Sequence, residues 1–176
     1  MGVHHECGVL GIYGVQNAAQ LAYYALHSLQ HRGQQSCGIV TFDNGQMHIM
    51  KGQGLVNEVF NNQNISELKG NIAIGHVRYP TTNVGGIENV QPFSFRHHTG
   101  DFAIAHNGNL SNAAELRSQL ELSGAIFHTS SDTETIAYII TRERLKTTSI
   151  ENALSRAMDT LDGTYSLVLM SPQKLM

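Results

Sequence analysis

The chain has 176 residues, of which 41% are hydrophobic and 14% charged, and its net charge is −3 with histidine neutral. That length and apolar content suit one globular domain with a sizeable core and exclude a disordered chain. The lack of a basic surplus argues against nucleic acid as a partner, and no apolar run reaches the length of a membrane span.

In chain order, ECGVLGIYG reads as a strand that glycine keeps open to close approach by another backbone. Asn17 is a candidate N-cap for a helix over 18–31, with Leu21, Tyr24, Ala25 and Leu29 near one face and Gly33 as its stop. CGIVTF and QMHIMKG flank Asp43-Asn44-Gly45, and Asn-Gly between two such runs predicts a hairpin. A strand follows over 71–79, ended by Pro80, then a loop to Gln91, then strands over 93–96 and 102–106. The last third turns helical. Ser111 can cap a helix ending at Gly124. Ser131 to Glu134 and Thr148 to Glu151 both have capping-box spacing, the second opening a helix to about Leu161. A strand over 165–170 comes last. Strands, then helices, then a strand predict an α+β fold with mixed sheets and helices outside. A chain that stops just after an apolar strand leaves little to cover it, which suggests a piece of something longer.

The six-residue leader has no apolar run of a signal peptide, and Glu6 stands where a myristoylation signal needs Ser or Thr. Two cysteines, Cys7 and Cys37, make no disulfide framework. These features imply a cytoplasmic protein with reduced thiols.

Four stretches carry possible chemistry, each beside a plainer reading. Cys7 is either a small packed hydrophobe or a nucleophile exposed as the first residue once residues 1–6 are removed. A free α-amino group has a pKa near ~7.7–8.0 against ~10.4 for lysine, so it is roughly 300-fold richer in neutral amine near pH 7. An N-terminal cysteine therefore carries its own general base, which an amide to Glu6 would abolish. In GHVRYPTT, Arg78 is either a surface ion-pair residue or a rigid fork for a carboxylate, with Thr81 and Thr82 as hydroxyl donors. Asn107-Gly108 is either a turn or an oxyanion hole, and a helix start at Ser111 argues against a hairpin there. Asp132 is either a helix-dipole partner or a ligand for a substrate ammonium. His27 and His31 are spaced i, i+4, and His4-His5 and His97-His98 are paired, but no HExxH or closed Cys/His set appears, so no metal site is expected.

Taken in order, CGVLGIYG, LQHRGQQSCGI, GHVRYPTT, AHNGNL and SSDTE resemble the glutaminase domain of the class II glutamine amidotransferases, within the N-terminal-nucleophile (Ntn) hydrolases. LQHRGQ, GHVRYPT and IAHNGNL are most similar to the amidophosphoribosyltransferase branch, since the amino-sugar branch has Trp after the arginine, where Tyr79-Pro80 stands here. The resemblance implies a four-layer αββα sandwich over 7–176, incomplete at its C-terminus, after a leader over 1–6. It implies Cys7 as nucleophile, Asn107 and Gly108 as oxyanion hole, Arg78 and Thr81 on the glutamine α-carboxylate, Asp132 on the α-amino group, and Arg32 and Gly33 shaping the site. L-glutamine is the implied partner, hydrolysed to glutamate and ammonia through a γ-glutamyl thioester. In the parent enzymes a phosphoribosyltransferase domain, absent from this sequence, joins the ammonia to phosphoribosyl pyrophosphate in the first step of purine synthesis. The implied parent is a homo-oligomer using Mg. Some members hold an iron–sulfur cluster, though not through residues of this segment. Gln35 stands where the family usually has Glu, and Cys37 where a small residue is common. The alternative expectation is an unprocessed, non-catalytic module serving interaction alone.

Overall fold

The computed structural model describes residues 7–79, 86–98 and 100–176. These divide into two compact units, Met1–Asn107 with Ser166–Met176, and Gly108–Tyr165.

In the first unit, β1 (Gly8–Tyr13), β4 (Ile72–Arg78), β2 (Ser36–Asp43) and β3 (Gln46–Gln53) form an antiparallel sheet in that spatial order. The β2–β3 hairpin turns at Asn44 and Gly45, with φ of 49° and 78°, as Asn-Gly allows. Side chains alternate between the faces. Cys37, Ile39, Ala73 and Val77 face α1 (Ala18–Leu29), which buries Ala18, Ala22 and Leu26 against them. Gly75 makes room there, because a Cβ would stand 3.1 Å from Leu26 Cδ1. Val40, Phe42, Ile72 and Ile74 face the other way and pack on Ala103, Ala105 and Met170 of a second sheet. That sheet runs β5 (Phe93–Phe95), β6 (Phe102–Leu110), β7 (Gly163–Met170), with β5 and β6 antiparallel. This unit is thus layered helix, sheet, sheet. Two short helices, α2 (Val56–Val59) and α3 (Asn62–Ile65), have no counterpart in the sequence reading.

The second unit holds α4 (Ala113–Leu122), α5 (Asp132–Arg144) and α6 (Ile150–Met158), with α5 packed on both the others.

Several local expectations are corrected. Asn17 sits in the left-handed region and makes no side-chain cap. Leu21 and Tyr24 lie on the exposed face of α1, because small residues let the helix approach the sheet more closely than bulky ones. After α1 a 3-10 turn runs from Gln30 to Arg32, and Gly33 ends it in extended, not left-handed, conformation. β6 continues through Asn107 and Gly108 to Leu110, so no helix follows at once. Asn112, not Ser111, precedes α4, and Ser149, not Thr148, caps α6. Ser131 does cap α5, but Glu134 completes no box. Its buried carboxylate instead accepts from the backbone N–H groups of His128 and Thr129 and from the Thr129 hydroxyl.

Candidate functional site

Cys7 stands at the head of β1. The register pairs Gly8 with Val77, so Cys7 lies beside the Arg78 end of β4. Its Sγ is 3.8 Å from the carbonyl of Tyr79, and its own carbonyl accepts from Arg32 Nε at 3.2 Å. Arg32 belongs to the QHRG stretch, which is held in place from three sides. The Gln30 carboxamide donates to Gly33 O and accepts from Val56 N–H at 2.6 Å. Gly33 presses on β4, where an added Cβ would meet the Arg78 backbone at 2.6 Å. Gln35 N–H donates to Arg78 O at 3.1 Å. Cys7, Arg32, Gly33 and Arg78 are therefore brought together at one end of the first sheet. Thr81 lies outside the described residues.

Asn107 follows His106 on β6, on the face shared with Ala103 and Ala105. Its Oδ1 is buried with no hydrogen-bond partner among the described residues. In the second unit, Gly108 has φ of 130°, and a Cβ there would collide with the carbonyl of Thr164 and with Tyr165. Only glycine fits that backbone. Asp132, in the first turn of α5, accepts from Leu110 N–H at 3.3 Å, which ties it to the residues just past Gly108.

The two thiols differ in environment. Cys37 is fully buried, its Sγ 3.9 Å from Gly54 O, and burial together with the negative charge of Glu58 pushes its pKa up to about 12. Cys7 is half-buried. His76, also fully buried, is held down to about 3, first by burial, then by the nearby positive charges of His106 and Arg78, against the opposing effect of its bond to His106 O. Among the described residues no three His, Cys, Asp or Glu side chains gather as metal ligands. A cleft of about 1010 Å³, lined in part by Asn17, Tyr24, Asp43, Asn62, Lys69 and Asn71, opens at the opposite end of the first sheet and involves none of these candidates.

Among the described residues, the buried polar side chains that the sequence reading did not single out include His76 and Gln91. For His76 a signal existed: period-2 alternation puts it on one face with Ile72 and Ile74, where a polar residue is out of pattern. Gln91 sits in a loop and has no such mark.

Residues 76–176 match the glutamine amidotransferase domain family. The chain belongs to that family. The match takes in Arg78, Asn107, Gly108 and Asp132. Among curated relatives, this amidotransferase domain is 49% identical to amidophosphoribosyltransferase of Bacillus subtilis over 99% of the chain and 36% of the relative. It is 47% identical to the Methanocaldococcus jannaschii enzyme of the same name over 93% of the chain and 35% of the relative. The chain thus spans about a third of the length of the curated relatives it matches. The solved glutamine phosphoribosylpyrophosphate amidotransferase of B. subtilis, complexed with ADP and GMP, superposes over 93% of this chain and 35% of that one, at 48% identity and TM-score 0.85. A further structure, described as the allosteric regulatory enzyme of purine biosynthesis, gives 0.87 at 48% identity, over the same shares of the two chains. The fold is therefore the α+β, antiparallel-sheet fold of the Ntn-hydrolase amidotransferase domain.

Proposed function

We propose that this chain is the glutamine-hydrolysing domain of an amidophosphoribosyltransferase. Removal of residues 1–6 frees the Cys7 amine, which takes the thiol proton as Sγ attacks the glutamine carboxamide carbon. The oxyanion formed is met by the Asn107 side-chain amide and the Gly108 N–H, donors typically worth ~10²–10³ each in rate. Collapse expels ammonia, protonated from the same amine, and leaves a γ-glutamyl thioester. Water then attacks the thioester, the amine again acting as base, and glutamate leaves with the thiol restored. Arg78 and Thr81 bind the substrate α-carboxylate and Asp132 its α-ammonium. The ammonia goes on to displace pyrophosphate from phosphoribosyl pyrophosphate, giving 5-phosphoribosylamine and placing the domain at the entry to purine synthesis. That second reaction, with its Mg, belongs to a phosphoribosyltransferase domain.

The observation that carries this reading is the Cys7 carbonyl held by Arg32 at the Arg78 end of β4, in a chain alike over 99% of its length to an amidophosphoribosyltransferase. The test is glutamate and ammonia release by the chain beginning at Cys7, with 6-diazo-5-oxo-norleucine as covalent probe. Turnover that vanishes in Cys7→Ala, with the probe's mass on Cys7, supports it. A folded chain beginning at Cys7 that neither turns over nor takes the probe overturns it in favour of a non-catalytic module.

A further inference from the structure

The layer between the two sheets of the first unit changes character along its length. At one end it is made of Val40, Phe42, Ile72, Ile74, Ala103, Ala105 and Met170. At the Arg78 end it is polar, and there two side chains meet on the backbone of one residue, His106. The Gln91 carboxamide accepts from His106 N–H at 2.7 Å and donates to His106 O at 3.3 Å. His76 Nε2 donates to the same carbonyl at 3.1 Å. Gln91 thereby does for His106 what a neighbouring strand would do, satisfying both its backbone groups.

Gln91 is itself anchored. Lys51 Nζ donates to the adjacent Val90 O at 2.7 Å, and the Gln91 carbonyl lies directly over Gly38, where any Cβ would collide with it. Gly38 is the register partner of His76, and Arg78 is two residues further along that strand on the same face. One hydrogen-bonded cluster thus joins the strand bearing Arg78 to the strand bearing Asn107. His76 has the geometry of a neutral Nε2–H donor, which suits a buried ring whose Nδ1 has no partner among the described residues.

We propose that Gln91 and His76 are positioning residues for the oxyanion hole: by clamping the His106 backbone, at its N–H and its C=O, they set where the next residue, Asn107, presents its amide. The proposal rests on the reading of Asn107 given under Proposed function. A shift of ~1 Å in such a donor can cost ~10²-fold in rate, so a clamp one residue away acts on catalysis without touching substrate.

The test uses the chain beginning at Cys7 and two readouts. In Gln91→Ala and His76→Phe, kcat for glutamine hydrolysis should fall about 10- to 100-fold while KM stays within about twofold, the mark of a contact made in the transition state alone. His76→Gln, whose carboxamide nitrogen can reach the Nε2 position, should stay within about threefold of the parent kcat. Hydrogen–deuterium exchange over 102–110 should lose protection in Gln91→Ala and His76→Phe and keep it in His76→Gln. Equal rises in KM and falls in kcat, or His76→Gln as impaired as His76→Phe, would reduce the cluster to general packing and overturn the proposal. Unchanged exchange in both disruptive variants overturns it too, and does so even in a chain with no glutaminase activity, an outcome that would sink the functional reading separately. If Gln91→Ala does not fold, Gln91→Glu takes its place, keeping the acceptor for His106 N–H and losing the donor. Selective loss of kcat then supports the clamp, and parent-like kcat overturns it.

Discussion

A Cβ added to Gly33 would stand 2.6 Å from the backbone carbon of Arg78, closer than any real pair of carbons comes without bonding. The glycine is extended, so the demand is for space and not for an unusual φ. Gly33→Ala must push the QHRG turn off β4, moving Arg32 from the Cys7 carbonyl and shifting Arg78. If Arg78 is the carboxylate fork proposed above, we expect glutamine hydrolysis to fall at least ~10-fold with KM rising, and stability to drop by ~1–3 kcal/mol, as for other overpacked sites. Steady-state kinetics and urea unfolding check both. Parent-like kinetics would mean that the contact between the turn and the strand does not govern the site.

Gly108 makes a stricter demand, combining a φ of 130° with backbone contact to Thr164 and Tyr165. Gly108→Ala is expected to cost ~1–3 kcal/mol in backbone strain and, if its N–H is an oxyanion donor, ~10²–10³ in kcat. A variant that loses stability and keeps kcat would assign Gly108 to the fold alone.

Much of the first sheet was readable from local pattern. Asn44-Gly45 announced the β2–β3 turn, and the apolar run ended by Pro80 announced β4. What escaped depends on partners distant in sequence. The buried face of α1 follows Ala18, Ala22 and Leu26 because the sheet beneath accepts small residues there, whereas hydrophobicity alone favoured Leu21 and Tyr24. β6 runs on through Asn107-Gly108 because Gly163–Tyr165 lies against it, and no property of Asn-Gly itself reveals that partner. α2 and α3 are four residues each, too short to show a period. Among site candidates, Cys7, Arg32 and Arg78 lie together at one end of the first sheet. Gln91 acts on His106 across fifteen positions and had no local mark.

The two cysteines offer a direct test of which thiol is the nucleophile. A thiol pushed up to about 12 has almost no thiolate at pH 8, and Cys37 is fully buried besides. Iodoacetamide at pH 8 should modify Cys7 and leave Cys37 unmodified until urea unfolds the chain, as peptide mass mapping would read. Modification of Cys37 in the folded protein would contradict its burial.

His76 sets a pH dependence of stability whose sign follows from its direction of shift. The folded ring titrates at about 3, whereas an ordinary histidine in the unfolded chain titrates near ~6.5. Between those values the unfolded state binds a proton that the folded state refuses, so stability rises with pH across that window. The neutral ring's contribution is complete above about pH 7 and is lost as pH falls through 6.5 and below, at up to ~1.4 kcal/mol per pH unit. The charges facing His76, His106 and Arg78, act in the same direction, because a protonated His76 would meet positive neighbours without water to screen them. Urea midpoints at pH 7.5 and 5.5 should therefore differ more in the parent than in His76→Gln, by ~1.4 kcal/mol once converted with the m-value. Since glutamine has no ionisation in that range while retaining the bond to His106 O, equal acid sensitivity in the two proteins would mean that His76 takes up its proton without unfolding the chain.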